Sequence, residues 1–130
     1  MTMPATPLYQ SIYTGGLDAY HAAIDNDMDV VISLIEVKRL PAQIHHIIAP
    51  VTTCLSKDYQ QAAIDIFALL DLSLKKDWRV LVHCQLGKMR SQGVVRAYAK
   101  YHDPKTKVGQ TPFSSMFLKM YFTTNWLQTS

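Results

Sequence analysis

Residues 80–91 read Val80-Leu81-Val82-His83-Cys84-Gln85-Leu86-Gly87-Lys88-Met89-Arg90-Ser91. The apolar run in Arg79–His83 predicts a central strand, and Ser91 to about Tyr101 predicts a helix. A loop at such a junction aims successive backbone N–H groups at one point, and the positive end of the helix faces the same point. Five residues separate Cys84 from Arg90, a span that wraps a half-circle of amides, Gln85 to Arg90, about one tetrahedral oxyanion. Gly87 lets the backbone turn and come close to a ligand. Arg90 can hold two oxygens with its planar fork. A free cysteine is mostly thiol at neutral pH. At a helix N-terminus beside an arginine the thiolate is favoured, and the thiolate is the nucleophile.

Working outward, the pattern on both sides of this segment alternates strands with helices. Ser11–Tyr13 is a short strand candidate stopped by Gly15-Gly16. Leu17 to about Asn26 reads as a helix, with Leu17, Tyr20 and Ile24 on one face. Val30–Ile35 is β-branched and almost wholly apolar, as in a strand buried on both faces of a parallel sheet. Ile44–Ala49 is another strand, ended by Pro50. Ser56 can cap the helix that follows, with Asp58 in its first turn. Tyr59, Ala62, Ala63, Ile66, Phe67, Leu70 and Leu74 then recur at helical spacing to about Lys76. Beyond the polar loop 102–110, Phe113, Met116, Phe117, Met120 and Tyr121 give the apolar face of a last helix that Trp126 can end. The order implies a three-layer α/β fold with a short, mainly parallel sheet and helices on both faces.

The chain has 130 residues, 48% hydrophobic and 18% charged, with a formal charge of +3. That is one domain's worth of core. Residues 1–10, with Pro4 and Pro7, read as a flexible lead-in, and 11–130 as a single catalytic domain. No apolar run reaches the roughly 18–20 residues of a membrane span, and the first residues do not form a signal peptide. Two cysteines, Cys54 and Cys84, make neither a disulfide framework nor a metal set, so a reducing, cytoplasmic setting is expected. The mild basic balance suits an anionic substrate and is too small to argue for nucleic acid alone.

The core His83-Cys84-x-x-Gly87-x-x-Arg90-Ser91 resembles the signature loop of the cysteine-dependent protein tyrosine phosphatases. Ile12-Tyr13-x-Gly15-x-Leu17, Val30-Val31-Ile32-Ser33-Leu34 and Ile48-Ala49-Pro50-Val51 resemble the strands of the small dual-specificity branch. Together these cover roughly residues 11–102. The resemblance implies a phosphotyrosine protein phosphatase-like fold. It implies hydrolysis of phosphotyrosine and phosphoserine or phosphothreonine through a phosphocysteine, with no metal or organic cofactor. Cys84 would be the nucleophile. Gln85, Leu86, Gly87, Lys88, Met89 and Arg90 would bind phosphate, Ser91 would assist thiolate departure, and His83 would support the loop. The partner is a phosphorylated protein or another phosphomonoester. Lys88 adds charge to the loop, as the extra loop lysines of phosphoinositide-directed members do; RNA 5′-triphosphatase members also take polyanions, and both stand as alternatives.

The pattern departs from that branch in one place. A general-acid Asp is expected shortly after Val51, but Thr52-Thr53-Cys54-Leu55-Ser56-Lys57 carries no carboxylate. Asp58 is the nearest candidate and serves equally well as a helix-dipole partner; Asp65 and Asp77 are less suited. A catalytically weak phosphate-binding module is therefore a further alternative. Cys54 faces the same end of a parallel sheet, where it is either a passive thiol or a reversible disulfide partner of Cys84.

Other signals lead elsewhere. Asp25, Asp27, Asp29 and Glu36 have calcium-loop spacing, but the position that needs Gly is Val30, and a strand follows. His45 and His46, adjacent on a strand, point to opposite faces and cannot share a metal.

Overall fold

The computed structural model describes residues 4–52 and 59–129, with side chains described to residue 123. Five strands form one sheet: β1 (Thr6–Tyr9), β2 (Ile12–Gly15), β3 (Val30–Ser33), β4 (His45–Ile48) and β5 (Val80–His83). Their spatial order is β1-β2-β5-β3-β4. All neighbours are parallel except β1 and β2, which form an antiparallel edge pair.

The central position of β5 follows from its composition. All four of its residues are buried, as are all four of β3. Side chains alternate across the sheet. Val30, Ile32, Val80 and Val82 enter the larger core with Phe67, Val94, Tyr98 and Phe117. Val31 and Leu81 enter a smaller one with Ala19, Tyr20, Ala23 and Met28. The large core is covered by α2 (Gln60–Lys75), α3 (Arg90–His102) and α4 (Pro112–Thr129). The small one is covered by α1 (Leu17–His21) and the turns and loop around it. This is the expected three-layer arrangement.

Register levels the strand ends. Gly15 pairs with His83, and His83 with Ser33, so these three stand in one row across the sheet. One residue further on, each chain leaves the sheet. The carboxyl ends therefore present the turn after β2, the loop after β5 and the exit of β3 side by side, where ligands bind in open α/β sheets.

Several local expectations need correction. The lead-in is ordered from within. Thr6–Tyr9 pairs with β2 through an irregular register, Ala5 is buried, and Tyr9 Oη lies 2.7 Å from His102 Nδ1. Pro7 is tolerated because β1 is an edge strand, where a missing donor costs little. The first helix stops at His21, not near Asn26. The chain must bend there to enter β3, and Asp27 takes a left-handed φ of 55°. The bend turns Ile24 to solvent and buries Ala23 and Met28 in its place. On α4, Phe113, Phe117 and Tyr121 are buried, while Met116 is exposed. His45 stacks on Trp78 with ring centroids 4.6 Å apart, and His46 reaches Ser33, so the two do diverge. The start of the α2 segment, with Ser56 and Asp58, lies outside the described residues. Among the described residues no helix is long and apolar enough to cross a membrane, and no group of His, Cys, Asp or Glu is arranged to hold a metal ion.

Candidate active site

The loop between β5 and α3 brings Cys84, Gly87, Arg90 and Ser91 together, as the spacing predicts. Cys84 is buried, with Sγ 3.3 Å from the Gly87 amide nitrogen, which donates to it. Ser91 Oγ lies 3.4 Å from Sγ, close enough to accept from the thiol and to donate to the thiolate. Burial pushes the thiol up. The hydrogen bonds from the Ser91 side chain and backbone and from the Gly87 amide, with the Arg90 charge, outweigh it and bring the thiol below its ordinary value.

Two side contacts show how the loop's amides are turned. The Gln85 carbonyl accepts from Leu17 N at 3.2 Å, and the Gly87 carbonyl accepts from Gln92 Nε2 at 3.1 Å. In a trans peptide the N–H points opposite to the preceding C=O. The Leu86 N–H is thus turned away from α1, and the Lys88 N–H away from Gln92. Gly87 itself has a φ of 75°, which L side chains rarely adopt. Arg90 Nη1 donates to the Val51 carbonyl at 3.2 Å. The guanidinium is therefore tied to the segment after β4, where the general acid is expected.

The turn after β2 backs the loop. Cys84 N donates to Gly15 O at 3.2 Å. A Cβ on Gly87 would lie 2.6 Å from Gly15 C, and one on Gly16 would lie 2.8 Å from Gln85 O. Backbone meets backbone here, and only glycines fit. In the sequence, Gly15-Gly16 reads as a strand stop, with Gly15 also in the pattern that resembles the opening strand and turn of the small dual-specificity branch. The pair of glycines in register with the signature is the signal that could have revealed more.

A buried polar chain supports Cys84 from the other side. Leu40 N donates to His46 Nδ1 at 3.0 Å, so the neutral ring carries its proton on Nε2 and donates to Ser33 Oγ at 2.8 Å. That leaves the Ser33 hydroxyl hydrogen for His83 Nε2, 2.6 Å away. His83 Nδ1 then holds a hydrogen facing the Cys84 carbonyl at 3.3 Å. One set of protons satisfies every link, because a backbone N–H cannot accept. Burial pushes the His83 pKa down to about 4; its bond to the Cys84 carbonyl opposes this, and the nearby His46 and His21 add to it. His46 is lowered as well, by burial and then by Arg39. His83 was legible beside the cysteine; Ser33 and His46 were not.

The remaining candidates divide. Gln85, Leu86, Lys88 and Met89 have exposed side chains. Asp65 accepts from Gln61 Nε2 on the exposed face of α2. Asp58 and Cys54 lie outside the described residues.

The fold is that of the cysteine-dependent tyrosine phosphatases in their small dual-specificity form. Among solved structures, the chain is similar to the tyrosine phosphatase OH1 from Orf virus, with a TM-score of 0.64 and 20% identity over 95% of this chain and 75% of that one. It is similar to human DUSP28, with a TM-score of 0.70 and 16% identity over 98% of this chain and 97% of that one. It is also similar to human tyrosine phosphatase-like serine/threonine/tyrosine-interacting protein, with a TM-score of 0.66 and 12% identity over 99% and 100% of the two chains. No protein-family model and no curated protein sequence matches the chain.

Proposed function

We propose that the protein hydrolyses phosphate monoesters of phosphorylated proteins, on tyrosine and on serine or threonine, through a phosphocysteine. The observation that carries this is the Cys84 sulfur held between the Gly87 amide and the Ser91 hydroxyl at the start of α3. The Cys84 thiolate attacks phosphorus, and the bond from phosphorus to the ester oxygen breaks. The leaving oxygen takes a proton from a general acid, for which Asp58 is the candidate. Water then cleaves the sulfur–phosphorus bond, orthophosphate departs, and Cys84 leaves as a thiolate that accepts from Ser91. Arg90 and the amides from Gln85 to Arg90 hold the phosphoryl oxygens. His83 fixes the Cys84 carbonyl and so the entry of the loop.

A second reading is a phosphate-binding module with little catalysis. The stretch from Thr52 to Lys57 without a carboxylate favours it, as does the likeness to a protein described as phosphatase-like and interacting. Single-turnover kinetics on an aryl phosphate separate the two. Hydrolysis predicts a vanadate-sensitive burst and a phosphoryl group trapped on Cys84 by acid quench. Phosphopeptide binding by the parent without any burst would establish the second reading instead.

A further inference from the structure

The loop displays apolar side chains at its mouth. Leu86 is 75% exposed and Met89 59%, on either side of the exposed Lys88. Beside them lies a pocket of about 370 Å³ lined by Lys88, Met89, Gln92, Thr111, Pro112 and Phe113. Its size is at the lower end for small-ligand sites. The lining is almost entirely apolar, and the Gln92 Nε2 donor is turned to the Gly87 carbonyl. The far wall is held in place. Phe113 packs on Gly93, where a Cβ would lie 2.3 Å from ring Cδ1. Thr111 and Ser114 cap α4 reciprocally: Thr111 N donates to Ser114 Oγ at 2.7 Å, and Ser114 N donates to Thr111 Oγ1 at 3.0 Å. That fixes Pro112 at the first helical position. Lys88 and Met89 belong both to the pocket and to the loop.

We propose that this pocket, resting on the phosphatase reading above, is a specificity subsite for a large apolar side chain (Leu, Met or Phe) of the substrate protein. The side chain would lie within two or three residues of the phosphorylated one, since each residue of extended chain spans about 3.3–3.6 Å and the pocket adjoins the loop. Lys88 at the rim favours an acidic neighbour on the same peptide. A lipid headgroup fits less well. Lipid-reading surfaces gather about 4–8 basic residues, whereas among the described residues Lys88 is the only basic one lining this pocket.

The test is kcat/KM on phosphotyrosyl peptides that differ only by Leu, Phe or Ala at single positions flanking the phosphotyrosine. Leu or Phe at one such position should exceed Ala by about 10- to 100-fold, chiefly through KM. Pro112→Glu places a carboxylate at the pocket mouth and an acidic residue in the first turn of α4, where it suits the helix. It should reduce that preference to about twofold or less while leaving turnover of para-nitrophenyl phosphate within about twofold. Equal rates across the peptides, with normal aryl phosphate turnover, would overturn the subsite and leave the phosphatase reading standing. So would a preference that survives in folded Pro112→Glu. Faster turnover of phosphoinositide vesicles than of any peptide would replace the proposal with a lipid site. If para-nitrophenyl phosphate is not hydrolysed at all, the phosphatase reading fails and binding decides the subsite. Tighter capture of the Leu peptide than the Ala peptide by Cys84→Ser, by about tenfold, supports it, and equal capture refutes it.

Discussion

Two strand-to-helix turns lie side by side at the carboxyl ends of β2 and β5, and they differ in what they give away. The turn after β5 carries Cys84, Arg90 and Ser91, residues whose chemistry announces itself. The turn after β2 carries Gly15 and Gly16, with no side chain to offer. Yet the second shapes the first. It accepts from Cys84 N, donates to Gln85 O through Leu17 N, and leaves no space for a Cβ between the two backbones. The proposed nucleophile is thus backed by residues that carry no reactive side chain, and the comparison predicts that disturbing either turn impairs the proposed catalysis, to different degrees.

The largest effect falls on the sulfur. Cys84→Ser should lower turnover of an aryl phosphate by roughly 10⁴- to 10⁶-fold, with the fold intact by circular dichroism. Gly87→Ala comes next. It forces a side chain into a positive φ and against Gly15 and Gly16. A loss of about 10²- to 10³-fold in kcat is expected, together with a lower Tm. Gly16→Ala presses on Gln85 O from behind and should lower kcat by about 10-fold with little change in KM. Unchanged kcat in Gly16→Ala would dissolve the link between the two turns.

The smallest effect at neutral pH lies in the chain of polar groups behind the loop. The folded pKa of His83 is about 4 against an unfolded value of 6.5. Below 6.5 the unfolded chain binds the extra proton and the folded one does not. His83 therefore contributes no penalty above pH 6.5, and stability falls as pH drops from about 6.5 towards 4, by on the order of 3 kcal/mol. Urea midpoints measured across that range should fall in the parent, and the His83-dependent part of the slope should vanish in His83→Gln. Identical slopes would mean that His83 is not buried as a neutral ring.

How much was legible in the sequence follows the same division. The Cys84 loop is local: its strand, turn and helix are contiguous, and each residue type declares a role. The buried strands β3 and β5 were legible because strands covered on both faces are apolar throughout. Gly16 and Ser33 were not, because their roles depend on parallel pairing with β5, about 50 to 70 residues away in the chain. β1 was hidden by Pro7, which is compatible only with an edge position. Ile24 was misassigned because helical periodicity was extended past the point where the chain must turn into β3. Phe113 reads as part of the apolar face of a last helix, and its place beside the loop, with Pro112, emerges only from how α4 docks on α3.

The central claim is that the Cys84 thiol is held below its ordinary value by Ser91, the Gly87 amide and Arg90. The most direct measurement is the rate of Cys84 alkylation by iodoacetamide as a function of pH, read by mass spectrometry with and without vanadate. The reactivity should be half-maximal at a pH below the ordinary thiol value of about 8.5, and vanadate should protect the residue. A titration midpoint at the ordinary value, with no protection by vanadate, would contradict it.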